Sequence, residues 1–597
     1  MRKLVFVFAC MLPVFPCHSR EITVGDDGAA DFNNIQAAIN DSNDGDVIFV
    51  SPGIYTGQGN RDISFNGLAI TVRSIEPNDP NIVAATIIDC NGTETEPHRG
   101  FYFGSGEDAN SILDGLTITN GVASGDWPAG RGGGIACYNQ SSPTIRNCLI
   151  TNNKTTEGGG GIYCYESSPT LTNCTICNNS ASFGGGIYNS AGSNPVLINC
   201  TFNANIATGD YGDGAGMANQ LSAPTLFNCI FTGNTASSYG GGVANQLSSP
   251  LLTNCKFIAN QAAFSGGGMR NYKSSPILTD CVFGTNSAGE GGGIYSVSYS
   301  SPTLSNCTFS ANSAFYGGGM SNWYYSNPTL TNCIFSANSA VYGGAMETYT
   351  ANPILANCTL TANSAVNSGD ALSCDSYQQA HPSNLTITNS ILWDGEDEIS
   401  NADNSTITII YSDIRDGWAG IGNIDVDPCF VKFGYWADAN DPNLIVEPDN
   451  PNAVWVDGDY HLKSQGWRWD TNHKVWTRDN VTSRCIDAGN PGSSPGQEPL
   501  SVLCDPNNKW GRNLRIDMGT YGGTAEASMP PHNWAILADL TNDGIVDFFD
   551  LKNWAENWLK SSPPLARVSD LDRNGIVDFF DFVLFAQDWS AQTTWRP

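Results

Sequence analysis

Basic residues are scarce. The 597-residue chain carries 27 Lys and Arg against 58 Asp and Glu, a formal charge of −31, and only 14% of its residues are charged. So small a basic complement offers no electropositive face, which excludes nucleic-acid binding through the phosphate backbone. Long apolar runs are missing as well. After the N-terminus nothing approaches the roughly 18 consecutive apolar residues that mark a membrane helix. The 19 cysteines are too dilute for a disulfide scaffold, whose share in a short secreted chain exceeds about 8%. Ordinary disorder is excluded by a hydrophobic content of 40%. Glycine, in contrast, is plentiful at 64 residues.

The N-terminus opens with Met1-Arg2-Lys3, then the short apolar run LVFVFACMLPVF, then Cys17-His18-Ser19. This pattern predicts a secretory signal peptide over residues 1–19 and an exported mature chain in which disulfides are permitted. Cys10, in VFAC, leaves a lipoprotein reading open, although Phe8 fits such a box poorly.

A repeat organises the middle of the chain. Cys148, Cys174, Cys200, Cys229, Cys255, Cys281, Cys307, Cys333 and Cys358 recur at intervals close to 26 residues. Each follows an Asn (once Asp280), and a proline stands five residues earlier, as at Pro143 and Pro328. An apolar residue lies two positions after the cysteine and an Asn three further on, as in Phe309 and Asn312; a GGGI, GGGM or GGGV patch closes the unit. The unit SPTLSNCTFSANSAFYGGGMSNWYY holds three short runs with strand composition, separated by Pro, Asn and Gly. Three short strands per repeat predict one coil of a right-handed parallel β-helix, stacked because a single coil cannot bury its own apolar side.

At about 4.8 Å per rung, equivalent residues lie above one another. Cys and Phe in CTF share the inward face. The nine cysteines are therefore expected as a column of buried free thiols, their side chains too parallel for bridging. The Asn column suits a tight corner, because Asn tolerates left-handed backbone and hydrogen-bonds along its own stack.

These features resemble the polymorphic outer-membrane protein repeats, here GGGI at Gly184 to Ile187, GGAM at Gly343 to Met346 and FSAN at Phe309 to Asn312, over about residues 131–389. The stacked Asn corner is similar to that of pectin-lyase-type β-helices. The resemblance implies a surface or secreted solenoid and no particular reaction. Residues 20–130 are expected to form an N-terminal cap and first coils, with an amphipathic stretch (Phe32, Ile35, Ile39) covering the open end, as in the starts of pectin-lyase-like proteins. Residues 390–530 read as an irregular β-rich segment, in which Cys485 and Cys504 are the expected disulfide.

Residues 534–597 carry two copies of GIVDFFD. The second loop places Asp570, Asp572, Asn574, Asp578 and Asp581 at positions 1, 3, 5, 9 and 12, with Gly575 at 6 and the Ile576 carbonyl at 7, the ligand spacing of a calcium loop. The first loop supplies Asp539, Thr541, Asp543, Ile545, Asp547 and Asp550; Thr541 offers one neutral oxygen, so this site is expected to be weaker. The duplication, with Asp at position 12, resembles a type I dockerin. That resemblance implies a cohesin-like partner, although the Phe548-Phe549 and Phe579-Phe580 pairs stand where dockerins often carry small polar recognition residues.

Catalytic chemistry is sparse. Residues 131–389 contain nine acids, six bases and one histidine, His381, with no GHG or paired-Asp motif. The lyase-like pieces, Asp210, Asp213, Arg270, Lys273 and Glu290, read as isolated solvated charges at turns, Asp213 and Arg270 lying about 10 Å apart by rung spacing. If the Ile or Met after GGG points inward, the next residue points out. Tyr163, Tyr188 and Tyr295, and two residues further along their strands Trp323 and Tyr349, are then expected as an exposed aromatic face for stacking sugar rings, although aromatics favour strands in any case. The sequence thus predicts a secreted, polysaccharide-associated β-helix with a calcium-dependent docking module. The alternative is a surface adhesin or structural solenoid without catalysis.

Overall fold

The computed structural model describes residues 19–595 except 26–27, 126–127, 211, 377–380, 396, 404, 510 and 560–567; the expected leader lies outside them but for Ser19. The chain winds into a right-handed parallel β-helix with faces of 15, 14 and 13 strands and a six-stranded ribbon of two-residue strands at one corner. Each repeat supplies the three expected strands, for example Thr303–Ser305, Thr308–Ser310 and Met320–Trp323, paired in parallel with the next coil at Thr329, Ile334 and Met346. Parallel pairing continues beyond residue 389, as far as Asp413–Ile414.

The interior is a set of columns. Phe202, Phe231, Phe257, Phe283, Phe309 and Phe335 are fully buried and stack ring on ring at 4.5–4.9 Å. All nine ladder cysteines are free and buried. Their thiols turn to backbone carbonyls, as Cys307 does to Ser305 at 3.4 Å, so the column is built without bridges.

Asparagine forms two ladders with different work. The corner residues Asn147, Asn173, Asn199, Asn228 and Asn254 have φ of +52° to +55°; from Asn173 on, each donates Nδ2 to the Oδ1 of the preceding coil's Asn, and Asn147 donates to Asp114 Oδ1. The second ladder, Asn153 to Asn363, is buried; each Nδ2 donates inward to a strand carbonyl and along the stack to the next Asn Oδ1, the last, Asn363, to Asp394 Oδ1. Helix α1 (Ile35–Asp41), N-capped by Asn34, buries Ile35, Ala38 and Ile39 against the first strands, with Phe32 packed beside them, so the expected cap is in place. Helix α2 (Pro80–Ala85) interrupts the early coils.

Beyond the solenoid, residues 435–477 form short antiparallel pairings. The strip 517–522 lies along the corner ladder. Asn332 donates to the Thr520 and Gly522 carbonyls, Asn357 to the Asp517 carbonyl, and Gly519 N–H reaches the Asn389 carbonyl. The expected Cys485–Cys504 disulfide is absent. Cys485 is buried and donates its thiol to Asp413 Oδ2 at 3.0 Å, whereas Cys504 is exposed. Helices α3 (Phe548–Glu556) and α4 (Phe579–Gln587) follow the two acidic loops, each opened by a reciprocal capping box, Asp547 with Asp550 and Asp578 with Asp581. This terminal module rests on the tail and the solenoid end. Tyr411 donates to the Leu540 carbonyl, and Asn542 to the carbonyls of Gly422 and Ala488.

Candidate functional site

The glycine triplet shapes one side of the 13-stranded face. Its first glycine takes left-handed backbone, as at Gly184 (φ +60°), where an added Cβ would sit 2.2 Å from the Ile187 carbonyl oxygen. This turn folds the residue before the triplet back beside the strand. These preceding residues bridge from coil to coil as a third column: Arg131, Gly158, Phe183, Asp213, Tyr239, Ser265, Glu290, Tyr316, Tyr342.

The outward strand column is in the expected register, Tyr163 to Tyr188 to Ala218 to Ala244 to Arg270 to Tyr295. Its exposure is not as expected. Tyr163, Tyr188 and Tyr295 are 0%, 8% and 6% exposed, because the third column rises beside them as a rim; Trp323 and Tyr349 are half-buried. The consecutive small residues Ala218 and Ala244 leave a hollow between Tyr188 and Arg270. The cavity there is about 300 Å³ and is lined by Arg131, Phe183, Tyr188, Asp213, Gln220, Gln246 and Arg270, among others.

Two guanidiniums stand at its ends. Arg131 donates to Tyr163 Oη at 2.8 Å, and Arg270 lies 4.2 Å over the Tyr239 ring. Asp213 and Arg270, expected as separate solvated charges, face each other across two rungs with Oδ2 and Nη1 3.8 Å apart, both largely buried. The long arginine side chain spans the spacing that the backbone leaves. Asp213 Oδ1 and Arg270 Nε are buried with no hydrogen-bond partner. Burial pushes the Asp213 carboxyl up to about 6, against the opposing pull of Arg270. Tyr188 donates to Gln220 Oε1 at 2.6 Å, fixing that amide at the floor. Burial also raises Glu290, while the remaining lyase-like pieces stay apart: Asp210 is exposed, and Lys273 sits at a left-handed corner over Tyr272.

Further along the same column, Glu347 is buried and accepts from Ser321 Oγ at 2.8 Å and Trp323 Nε1 at 2.7 Å, and burial pushes it up to about 8. A carboxyl whose folded value lies above its unfolded one favours folding below the unfolded value and loses that contribution as pH rises through the folded one. Glu347→Gln, which preserves both acceptor bonds, is therefore expected to unfold at higher urea than the unsubstituted protein at pH 9 and at nearly the same urea at pH 4. Paired urea titrations at the two pH values measure this, and an equal difference at both would contradict the burial argument.

In the terminal module the second loop brings one carboxylate oxygen each from Asp570, Asp572 and Asp581 within 4.8 Å of one another. Asp578 caps α4, and Asn574 Oδ1 accepts the Ile576 N–H. In the first loop Asp539 accepts from Asp543 and Gly544 N–H, Asp543 accepts the Ile545 N–H, Asp547 caps α3, and Thr541 Oγ1 donates to Asp550 Oδ1 at 3.0 Å. Both loops thus have oxygen-only donor sets suited to calcium, the second more compact. Phe548, Phe549, Phe579 and Phe580 are all exposed.

Sequence alternation gives the strand column but not its rim. Arg131, Phe183 and Tyr239 were missed because their place depends on the direction of the glycine turn, the one signal for them being that each immediately precedes a glycine triplet.

Coil geometry and columnar packing define a parallel β-helix protein with a lined cleft on one face. The description "right handed beta helix region" matches residues 33–216, 199–326 and 291–428, more than half of the chain, and the protein belongs to that family. No curated protein matches it. Solved structures similar to it include an alginate lyase of the PL6 family (13% identity, TM-score 0.42, 69% of this chain and 54% of that one). Others are the pectate lyase Pel9A (13%, TM-score 0.24, 81% and 89%) and a tailspike protein of bacteriophage CBA120 (12%, TM-score 0.36, 77% and 69%). The chain spans about half the length of that alginate lyase. Among the described residues no helix is long and apolar enough to cross a membrane.

Proposed function

We propose that the cleft on the 13-stranded face binds an acidic polysaccharide, and that the chain is a secreted, polysaccharide-associated protein. The observation that carries this is the pair Arg131 and Arg270 at the two ends of one aromatic- and amide-lined cavity. They are two of only six basic residues between 131 and 389. Guanidinium forks match sugar carboxylates, Tyr188 and Phe183 offer apolar faces to pyranose rings, and Gln220 and Gln246 offer hydroxyl partners. Trp323 and Tyr349, half-buried register partners in adjacent coils with rings 5.0 Å apart, extend the aromatic surface along the solenoid axis. The terminal module is assigned, on the same footing, two calcium ions: one held by Asp570, Asp572, Asn574, Asp578, Asp581 and the Ile576 carbonyl, a weaker one by the matching residues of the first loop. Calcium there would lock each loop against its helix, and the exposed Phe pairs would face a cohesin-like partner.

Arg270→Ala is expected to weaken retention on an acidic polysaccharide at least tenfold, about 1.4 kcal/mol, and to leave neutral polysaccharides unaffected. Affinity electrophoresis in gels containing polygalacturonate, alginate or a neutral glucan measures it, and product release by the unsubstituted protein is assayed alongside. Retention without products marks a binding protein, unsaturated products mark a lyase, and absence of both removes the glycan reading.

A further inference from the structure

Three carboxylates that the cleft and the loops do not use meet at the joint between solenoid, tail and terminal module. Asp487, Glu498 and Asp517 are 1%, 6% and 1% exposed, and one oxygen from each lies within 4.8 Å of the others. Each spends one oxygen on backbone N–H groups of the tail. Asp487 Oδ1 accepts from Leu514 and Arg515, Glu498 Oε1 from Asp517 and Gly523, and Asp517 Oδ1 from Asp487, all at 2.8–3.1 Å. The second oxygens, Asp487 Oδ2, Glu498 Oε2 and Asp517 Oδ2, are buried and have no hydrogen-bond partner among the described residues.

Among the described residues no side chain neutralises them by contact. Arg515 spends its guanidinium on the carbonyls of Ala488, Gly489 and Asp539, and Arg573 on those of Pro491 and Leu514. Asn513, whose amide reaches the Pro499 carbonyl next to Glu498, likewise keeps Oδ1 buried and unpartnered. Burial raises all three carboxyls; like charge adds to this at Glu498 and Asp517, whereas Arg515 and Arg573 pull against it at Asp487. Three buried oxygens left bare after the backbone has organised their partners make a cage for a cation, since buried charge is otherwise strongly disfavoured.

We propose that Asp487, Glu498 and Asp517 form a third calcium site, which locks together the tail segments that dock on the solenoid. The donors are hard oxygens. Calcium accepts flexible, all-protein oxygen cages, whereas magnesium dehydrates reluctantly and keeps several waters, which a buried site does not favour. A cavity of about 480 Å³ lined by Asp487, Asn508, Arg512 and Trp534 opens beside the site as a path for entry. The ion would tie together the segments that hold the corner ladder, through the Asp517 carbonyl to Asn357 and the Asn490 N–H to Asn389, and the first acidic loop, through the Arg515 guanidinium to the Asp539 carbonyl.

The test uses the full chain with both acidic loops disabled by D539N, D550N, D570N and D581N. After desalting into buffer with micromolar free calcium, this variant is expected to retain one calcium per chain by elemental analysis. Its Tm should rise by several degrees over the EGTA-treated sample, and magnesium should not substitute. Adding Glu498→Gln, which still accepts the Asp517 and Gly523 N–H groups, is expected to remove the ion with an unchanged far-UV spectrum; calcium retained in that variant overturns the assignment. If the Gln variant fails to fold, the loop-disabled chain decides alone. No bound calcium and no Tm response overturn the site, as does an equal response to magnesium. A calcium-independent fall in stability from pH 6 to pH 9 that Glu498→Gln abolishes overturns it too, because the triad is then held by protons.

Discussion

Asn260→Ala is expected to destabilise the solenoid by about 3 kcal/mol, given that each buried polar group left unpaired costs about 1–3 kcal/mol. The side chain joins three coils. Its Nδ2 donates to the Phe231 carbonyl at 2.9 Å and to Asn286 Oδ1 at 3.0 Å, while its Oδ1 accepts the backbone N–H of Asn234 at 3.1 Å and the Asn234 amide at 2.9 Å. Truncation takes the side-chain partner from the Phe231 carbonyl and the Asn234 N–H, both in the dry interior, whereas Asn286 Oδ1 keeps the Asn260 N–H. The comparison that isolates the buried ladder is Asn228→Gly. Asn228 stands in the exposed corner ladder at φ +54°, and glycine keeps that backbone while deleting the side-chain bonds. It is expected to cost under about 1 kcal/mol, because water replaces the lost partners. Urea midpoints followed by circular dichroism measure both, and equal losses would mean that burial adds nothing to the ladder.

The two ladders also show where sequence reasoning reached and where it stopped. Periodicity at 26 residues placed Cys148 to Cys358 and the following apolar residue on the inside, because strand alternation leaves no other arrangement once coils stack. The Asn before each cysteine was legible as a left-handed corner because the backbone there leaves few residue choices. The Asn three residues after the apolar position shows no such strain. Its role depends on the carbonyl of a coil one repeat earlier, which spacing alone does not position.

The cleft was half legible for a related reason. The register of Tyr163, Tyr188, Arg270 and Tyr295 follows from alternation, but their exposure depends on a turn whose direction is set by the positive φ of the first glycine in each triplet. That turn raises Phe183, Asp213 and Tyr239 into a rim and converts an open aromatic face into a cavity. Asp487, Glu498 and Asp517 were not legible at all. They come together only because the segments 485–489 and 516–518 pair backbone to backbone, Met518 N–H to the Cys485 carbonyl and Gly489 N–H to the Ile516 carbonyl. The same pairing buries Cys485 away from Cys504.

Phe283→Ala is expected to cost about 3–5 kcal/mol, the range for a buried phenylalanine whose site does not collapse. Collapse is blocked here by periodicity. The ring lies 4.6 Å from Phe257 and 4.9 Å from Phe309, within 2° and 6° of parallel, so neither neighbour can tilt into the gap without leaving its own partner. The ring also fixes the glycine above it: an added Cβ at Gly268 would lie 2.8 Å from Phe283 Cδ1 and 2.6 Å from the Gly293 carbonyl oxygen. Gly268→Ala is therefore destabilising on its own, through one clash with a side chain and one with backbone. Combining it with Phe283→Ala removes the first clash and leaves the second. The double variant is expected to lose less than the sum of the single losses yet remain below Phe283→Ala alone, as read from urea midpoints of all four proteins. Strict additivity would show that the glycine is required by the coil-to-coil backbone approach only. The measured shortfall, if present, gives the part of the glycine requirement that the phenylalanine column imposes.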